Sequence, residues 1–407
     1  MIFISTADPI VAELRKDATY HLVQSMLEVA EHHGPDVTPA GVQAIRNAVP
    51  DVWKAYVPTL VDLVTGMRRA RRLGKSTEGW LFTNTSSQQA THPSIAVHHA
   101  SRFVGCAHVV EVCSGAGVDA RALARVVGKV TTFEADPATA AILEGNLRRA
   151  GIGNVDVVCA HVPCAAYQDA MATADGLWAD PSRRDERSAR KRSGASYDPP
   201  IGLFTTAPAS LKVLGIKVGP GDTLDDELTY RTSSEYIGWR DECRERILWR
   251  GPHVPAVSLV DSSTTWHPAT NVIRVDIAQP EPGMVLIEPH AAIMASGHVT
   301  EYFAEVGARV LDHRIGYGLC SSDPGASPLH RRFALVHVEH GIDMKRIRKQ
   351  VRTLGWGRGT EVKKRGVDLD PASIHRSLDF SEDGPSGVIL LARGPASRMT
   401  LFAQRLG

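Results

Sequence analysis

The sequence predicts an α/β protein with a doubly wound, Rossmann-like parallel sheet, an N-terminal helical segment and a small C-terminal α+β domain. Three observations support this fold class. Apolar runs of strand length alternate with helical stretches between about residues 100 and 275. Such alternation is typical of right-handed βαβ units in a parallel sheet. Gly115 and Gly117 follow the first apolar run, and 407 residues suffice for two or three domains.

The predicted domains are residues 1–80, 81–320 and 321–407. Apolar residues in the first segment recur at helical spacing, and a Gly/Ser/Pro-rich stretch at 318–330 separates the other two. The central strands are predicted at residues 108–113, 129–134, 155–160, 177–180 and 211–218. The C-terminal strands are predicted at 333–338, 360–364, 388–392 and 399–402, with helices at 344–354 and 371–378.

Composition limits the possible functions. The chain is 43% hydrophobic with a net charge of +1, which excludes a disordered chain and a uniformly basic nucleic-acid binder. Its six cysteines form no CxxC pair, and no uncharged run approaches the roughly 18 residues of a membrane span. The start of the chain lacks the pattern of a signal peptide. We therefore expect a soluble cytoplasmic protein that does not bind a membrane.

No metal site is predicted either. The pairs His32-His33 and His98-His99 are adjacent in sequence, so their side chains would point in different directions on a helix. Surface or capping histidines are the favoured interpretation.

The segment from Glu111 to Ala120 is a candidate cofactor loop. It fits the pattern G-x-G-x-x-A between a strand and a helix, and Glu134 ends the next strand nineteen residues after Gly115. A dinucleotide-binding site would look the same, and a packing turn without ligand is a further alternative. However, Glu111 and Asp119 would repel a pyrophosphate and attract the positive charges of S-adenosylmethionine.

The turn after the fourth strand, Asp180-Pro181-Ser182-Arg183-Arg184, also favours S-adenosylmethionine. Ligands of open α/β sheets bind at the carboxyl ends of the strands. Asp180 and the Pro181 carbonyl could accept hydrogen bonds from a target amine and hold its lone pair in line with a methyl group. Arg183 could stack on a base or clamp a phosphate, or it could pair structurally with Asp180 or Asp185.

The chain resembles bacterial class I methyltransferases that carry a C-terminal THUMP-like domain and are related to trimethylguanosine synthases. The resemblance extends over residues 80–405. It rests on eight motifs in order: Gln89-Ala90-Thr91, the loop from Glu111 to Asp119, Glu134, the turn Asp180 to Arg184, the segment Ile216 to Asp222, Glu242-Cys243-Arg244-Glu245, Glu288 to Ile293, and Lys363 to Asp368.

The resemblance implies a seven-stranded methyltransferase sheet and a ferredoxin-like C-terminal module that helps to hold RNA. It implies S-adenosylmethionine binding by Glu111, Gly115, Gly117 and Glu134, with Asp180 at the methyl-transfer end. We extend the predicted cofactor site to the neighbouring Ser114, Asp119 and Ala135. Many relatives carry an adenine-binding Asp after strand three, where this chain has Ala160-His161. His161 could take that role, or the contact could be absent.

Nitrogen methylation is favoured over carbon methylation. Enzymes that methylate a base carbon use a cysteine nucleophile after an Asp-Pro-Pro-Arg turn, and residues 211–222 contain no cysteine. Cys243 could serve only after an unexpected chain reversal. Lys217, Glu242 and Glu245 could line the substrate entrance or form a structural ion pair. The predicted catalytic residues are Asp180, Pro181 and Arg183.

Two basic stretches suggest an RNA substrate. Residues 183–192 hold six basic residues against two acids, and residues 331–376 hold twelve against five. Trp356 and Phe333 are the candidate stacking residues in the second stretch. The alternatives are solvated charged faces, a small-molecule methyltransferase, a nicotinamide oxidoreductase, or a binding module without turnover.

Overall fold

The computed structural model describes residues 8–34, 37–75, 78–183, 197–224, 231–270 and 274–407. The chain divides into two units. The first contains Met1–Ser234 and Arg246–Val254, and the second contains Glu235–Glu245 and Pro255–Gly407. The structure thus groups residues 255–320 with the C-terminal residues, whereas the sequence suggests a boundary near residue 320. Within the described ranges, no helix combines the length and apolar character needed to cross a membrane.

Helices make up the N-terminal part of the first unit, as the sequence predicts. They are α1 (Pro9–Leu14), α2 (Asp17–Glu31), α3 (Pro39–Ala48), a 3-10 helix (Asp51–Tyr56), α4 (Val57–Arg72), α5 (Asn84–Gln89) and α6 (Pro93–Ser101). Asp8 and Thr38 cap α1 and α3 by accepting hydrogen bonds from backbone N–H groups. The buried faces of α2 and α4 include Val23, Leu27 and Leu63, which is the apolar stripe expected of helices packed on one another.

A parallel sheet follows in the same unit. Its elements are β1 (His108–Val112), α7 (Val118–Ala124), β2 (Lys129–Glu134), α8 (Pro137–Arg149), β3 (Val155–Cys159), α9 (Ala165–Thr173), β4 (Gly176–Ala179), β5 (Ser182–Arg183), β6 (Tyr197–Asp198), α10 (Ile201–Thr205) and β7 (Val213–Val218). The five strands in the order β3-β2-β1-β4-β7 are parallel, which confirms the doubly wound fold class. The short strands β5 and β6 pair separately.

Two long strands, β8 (Ser233–Trp239) and β9 (Glu242–Arg250), contribute residues to both units. The end of β9 pairs antiparallel with β7, so six strands of the sheet lie in the described part of the first unit. In the middle of β7, a Cβ at Gly215 would lie 2.6 Å from the Trp249 ring and 2.8 Å from the Trp178 ring. Only glycine lets these two buried rings pack across the strand.

The second unit is α+β. It contains β10 (Val257–Leu259), β11 (Thr264–Trp266), β12 (Val285–Pro289), α11 (Ala291–Ser296), α12 (Val299–Glu305), β13 (Arg309–Val310), β14 (Gly318–Cys320), β15 (His330–His340), α13 (Met344–Leu354), β16 (Glu361–Arg365), α14 (Pro371–Arg376), β17 (Val388–Arg393) and β18 (Arg398–Leu406). Seven of its strands form one sheet in the order β13-β14-β12-β15-β18-β17-β16.

The C-terminal elements follow the order predicted from the sequence, and this order differs from the ferredoxin-like topology that the resemblance implies. A ferredoxin-like module runs βαββαβ, but residues 330–406 run β15-α13-β16-α14-β17-β18. The reason is the short helix α14, which returns the chain so that β16 and β17 pair in parallel. Helices α13 and α14 cover one face of these strands with Ile347, Val351 and Ile374.

Candidate active site

The parallel strands bring three acidic side chains to one edge of the first unit's sheet. Glu111 is the next-to-last residue of β1, Glu134 is the last residue of β2, and Asp180 directly follows β4. β1 pairs with both β2 and β4, so the three positions are neighbours across the sheet. This carboxyl edge is where open α/β sheets bind their ligands.

The turn after β1 requires glycine at two positions. Gly115 has φ 54° and Gly117 has φ 87°, in the left-handed region that side chains disfavour. A Cβ at Gly117 would lie 2.1 Å from Leu143 Cδ1, whereas a Cβ at Gly115 would meet nothing within 4 Å. Gly117 therefore packs the turn against α8, and Gly115 leaves the backbone open to a ligand.

Glu134 holds this turn in place. Its Oε2 accepts a hydrogen bond from the Gly115 backbone N–H at 2.9 Å, and its Oε1 accepts one from the Asp136 N–H at 3.0 Å. Burial raises the pKa of Glu134, and these donors oppose the rise. Because a carboxylate already engages the Gly115 N–H, a pyrophosphate would lose that donor and meet a negative charge. The geometry therefore argues against a dinucleotide. Ala135 is half-buried and lies between Glu134 and Asp136.

Glu111 has an unsatisfied oxygen in this site. Its Oε2 accepts a hydrogen bond from Thr132 Oγ1 at 2.6 Å, but no described residue bonds its buried Oε1. Ser114 Oγ also contacts Thr132 Oγ1. Burial raises the pKa of Glu111 to about 8, and the carboxylates of Asp119 and Asp180 add to the rise. A buried carboxylate oxygen without a partner is costly, and a cationic ligand group would offset that cost. The amino group and sulfonium of S-adenosylmethionine fit this requirement.

A chain of hydrogen bonds links the start of α7 to the turn after β4. Asp119 Oδ2 accepts a hydrogen bond from Thr91 Oγ1 at 2.6 Å, and Asp119 Oδ1 lies 3.1 Å from His99 Nδ1. Lys217 Nζ, on β7, donates to Thr91 Oγ1 at 3.1 Å and to Asp180 Oδ2 at 3.0 Å. The ammonium of Lys217 thereby fixes the position of the Asp180 carboxylate.

The burial of His99 corrects the expectation of a surface or capping histidine. The side chain is only 2% exposed, and its ring centroid lies 4.6 Å from that of Trp178. The sequence carries a signal for this burial. His99 stands four residues after Ile95 and three after Ala96, so it shares their buried helix face.

The turn after β4 places Arg183 beside Asp222, which belongs to a motif of the resemblance but was not a predicted partner of Arg183. Arg183 Nη2 lies 3.4 Å from Asp222 Oδ2, and the Tyr197 hydroxyl donates to the same carboxylate oxygen. Of the two partners expected for Arg183, Asp180 instead binds Lys217, and Asp185 lies outside the described residues. Tyr197 is 2% exposed and packs in the core, so it offers no stacking face at this turn.

Neither cysteine near the predicted motifs suits a nucleophile. Cys113, in the glycine turn, is surrounded by carboxylates, and burial together with Glu134 and Asp180 raises its thiol pKa strongly. Burial raises the pKa of Cys243 to about 12. A nucleophilic cysteine needs the opposite shift, because the thiolate is the reactive form.

His161 lies beyond the end of β3 and is exposed. Ala160 before it donates its N–H to the Glu134 carbonyl at 3.0 Å, so His161 stands at the same sheet edge. Its adenine-binding role stays a prediction. Across the described ranges, no three His, Cys, Asp or Glu side chains converge as metal ligands would.

Two other motifs of the resemblance, Glu288 to Ile293 and Lys363 to Asp368, contact each other in the second unit. Glu288 contacts Lys363 Nζ, lies 3.6 Å from guanidinium nitrogens of both Arg331 and Arg365, and accepts a hydrogen bond from the Tyr317 hydroxyl at 3.2 Å. Removing one of these partners would leave charge in the unit buried and unpaired, which is destabilising.

The motif from Glu242 to Glu245 also belongs to the second unit. There Glu242 pairs with Arg244 at 3.0 Å. Lys217 was predicted together with these glutamates as a possible ion-pair partner. The ion pair described for Lys217 is instead with Asp180, at 3.0 Å.

Comparisons with known proteins bear on the enzyme class. Residues 330–405 match the THUMP domain-like family. Over 366 residues the chain is 27% identical to an uncharacterized S-adenosylmethionine-dependent methyltransferase of Mycobacterium tuberculosis, found in strains CDC 1551 and H37Rv, and the match covers 86% of this chain and 97% of that protein. The crystal structure of a proposed methyltransferase from Porphyromonas gingivalis W83 has a TM-score of 0.71 at 15% identity, covering 95% of this chain and 98% of the other. The chain is an S-adenosylmethionine-dependent methyltransferase with a C-terminal THUMP-like domain.

This identification confirms the predicted fold class, enzyme class and cofactor. The cofactor of this methyltransferase carries positive charge, so it is a suitable partner for the unsatisfied oxygen of Glu111. The roles of individual residues stay predictions, as do the domain boundaries.

Proposed function

We propose that this methyltransferase transfers the methyl group of S-adenosylmethionine to a nitrogen of an RNA base. The observation that carries the proposal is the Asp180 carboxylate, which follows β4 and is held by Lys217 at 3.0 Å. Asp180 is also close enough to Glu111 to help raise its pKa. A fixed acceptor therefore lies beside the oxygen that suits the cofactor's amino group.

We assign the cofactor to Glu111, Glu134 and the turn through Gly115 and Gly117. S-adenosylmethionine supplies an electrophilic methyl group on its sulfonium. Glu111 Oε1 would accept a hydrogen bond from the cofactor's amino group, and the bare backbone at Gly115 would permit its close approach. Ser114, Asp119 and Ala135 line the same turns, and Asp119 adds negative charge that favours a cationic cofactor.

Asp180 acts by positioning the amine. Its carboxylate accepts a hydrogen bond from the target N–H, and the Pro181 carbonyl provides a second acceptor, so the nitrogen lone pair points at the methyl group. Lys217 orients the Asp180 carboxylate through a charge-assisted hydrogen bond. Arg183 follows at the same turn, where its guanidinium faces Asp222 and remains 44% exposed for contact with a nucleotide.

Nitrogen is favoured over carbon as the acceptor. Carbon methylation of a base by a covalent route needs a thiolate, and burial raises the pKa of both Cys113 and Cys243. Positioning an amine needs only the acceptors described above.

The THUMP-like match at residues 330–405 supports RNA as the substrate. Seven of the twelve basic residues at 331–376 form ion pairs within the second unit, which lowers the charge that they offer to RNA. Lys345 and Lys349 on α13 remain exposed.

The two candidate stacking residues, Trp356 and Phe333, are both buried, so neither serves as a stacking platform. The RNA recognition that remains in this stretch is electrostatic. The basic residues 184–192 lie outside the described residues.

The test is transfer of label from S-adenosylmethionine to RNA from a strain that lacks the gene, followed by nucleoside mass spectrometry. We expect one N-methylated nucleoside with the wild type and none with Asp180→Ala, which should fold and bind the cofactor normally. Label found only in small metabolites, or on a base carbon, would contradict the proposal. Cofactor binding without transfer to any pool would indicate a binding module instead.

A further inference from the structure

A cavity of about 610 Å³ in the N-terminal helices has an unusual electrostatic composition. Four arginines from the last turns of α4, Arg68, Arg69, Arg71 and Arg72, line it. Glu31 is the acidic residue among the described lining residues. None of the residues that line the cavity belongs to the cofactor site described above.

Part of this charge has a structural explanation. Cations in the last turn of a helix interact favourably with the helix dipole, and Arg69, Arg71 and Arg72 stand there. Arg71 also donates to Gln24 Oε1 at 2.8 Å and lies 3.4 Å from Glu31 Oε1. These contacts account for Arg71 within the protein itself.

Arg68 is different. Both of its terminal nitrogens are buried, and neither has a hydrogen-bond partner among the described residues. A guanidinium presents a planar fork of donors that matches the oxygens of a phosphate or carboxylate. Donors buried without acceptors are costly. Because Arg68 also lines a cavity rich in cations, an anion bound there is the acceptor that would complete its hydrogen bonding.

We propose that this cavity binds a phosphate group of the RNA substrate, with Arg68 as the central ligand. The inference rests on the proposed function for the identity of the polyanion. Arginines one, three and four residues after Arg68 surround the same cavity, so a phosphate held by the Arg68 fork would be neutralised further by its neighbours. A free phosphorylated molecule offers the same chemistry, and the experiment distinguishes the two sources.

The experiment measures RNA affinity of the full chain by fluorescence anisotropy at several salt concentrations. Arg68→Gln is expected to weaken binding about tenfold and to reduce the slope of log K against log salt by about 0.7, the value for one phosphate contact on a single strand. Arg68→Lys keeps the charge and should retain most of the slope. The matched control is Arg46→Gln, because Arg46 is an exposed arginine in the last turn of α3.

All three variants should retain wild-type affinity for S-adenosylmethionine, which shows that the unit folds. Unchanged RNA affinity and slope in Arg68→Gln would overturn the inference even if the enzyme methylates RNA. Titration with inorganic phosphate separates the remaining case. If phosphate binds the wild type but not Arg68→Gln, while RNA affinity is equal for both, a small phosphorylated ligand occupies the cavity and the RNA assignment is wrong.

Discussion

Replacing Glu111 by glutamine should stabilise the protein without cofactor and weaken cofactor binding. Glu111 is buried, and one of its oxygens has no partner among the described residues. Glutamine has nearly the same shape and still offers an oxygen to the Thr132 hydroxyl, which donates at 2.6 Å. The substitution therefore removes the titrating charge and little else.

The size of the effect follows from the pKa of Glu111. Burial raises it from 4.5 to about 8, so the folded protein binds a proton that the unfolded chain releases between these values. The contribution of Glu111 to stability is fully present below pH 4.5 and is lost as the pH rises to about 8. At 1.36 kcal/mol per pH unit, the whole loss is about 5 kcal/mol, and about 3 kcal/mol of it falls between pH 5.5 and 8.

Urea denaturation of the wild type and Glu111→Gln at pH 5.5 and pH 8.5 measures this difference. Glu28→Gln is the control, because Glu28 is an exposed glutamate in α2. The advantage of Glu111→Gln over the wild type should grow by about 3 kcal/mol at the higher pH, while its affinity for S-adenosylmethionine falls about 10- to 100-fold. A constant difference between the two proteins at both pH values, or an unchanged cofactor affinity, would refute the reasoning.

Three further predictions concern the same site. Glu134→Ala removes the acceptor that anchors the glycine turn and should weaken cofactor binding by about 1–3 kcal/mol, measured by titration calorimetry. Lys217→Met should lower kcat about 10- to 100-fold with little change in cofactor affinity, because Asp180 loses a charged hydrogen bond; equal kcat values would remove Lys217 from the mechanism. Gly117→Ala should lower the free energy of unfolding, measured in urea, by about 2–4 kcal/mol, because φ at this position is positive and the new Cβ would overlap Leu143. The control Gly202→Ala, in α10, should be neutral or slightly stabilising, because a Cβ there meets nothing within 4 Å.

The cofactor edge of the sheet could be predicted closely because its signals are local. The strand predicted at 129–134 matches β2 residue for residue, and the strand predicted at 108–113 exceeds β1 by one residue. A buried apolar strand followed by glycine fixes both the end of the strand and the position of the acids beside it. The three acids Glu111, Glu134 and Asp180 therefore came from the sequence alone.

The partners of those acids were less accessible to prediction. Lys217 meets Asp180 only because β7 pairs with β4, and that pairing joins residues 37 positions apart. Tyr197 and Asp222 come later in the chain than Arg183 and meet around it only in the folded protein. Contacts of this kind depend on tertiary pairing, which no local periodicity encodes. The order βαβαββ at the C-terminus followed from the sequence pattern, whereas the ferredoxin-like topology that the resemblance implied does not match it.

The charges of the active site explain why an RNA methyltransferase would need a separate phosphate site. Glu111, Glu134, Asp119 and Asp180 concentrate negative charge at one sheet edge, and Lys217 is already committed to Asp180. This arrangement favours a cationic cofactor, but it repels the phosphates on either side of the target nucleotide. If the substrate is RNA, as we propose, its backbone must gain affinity from cations outside the cofactor pocket. Arg68, whose two terminal nitrogens are buried without an acceptor among the described residues, offers donors of this kind.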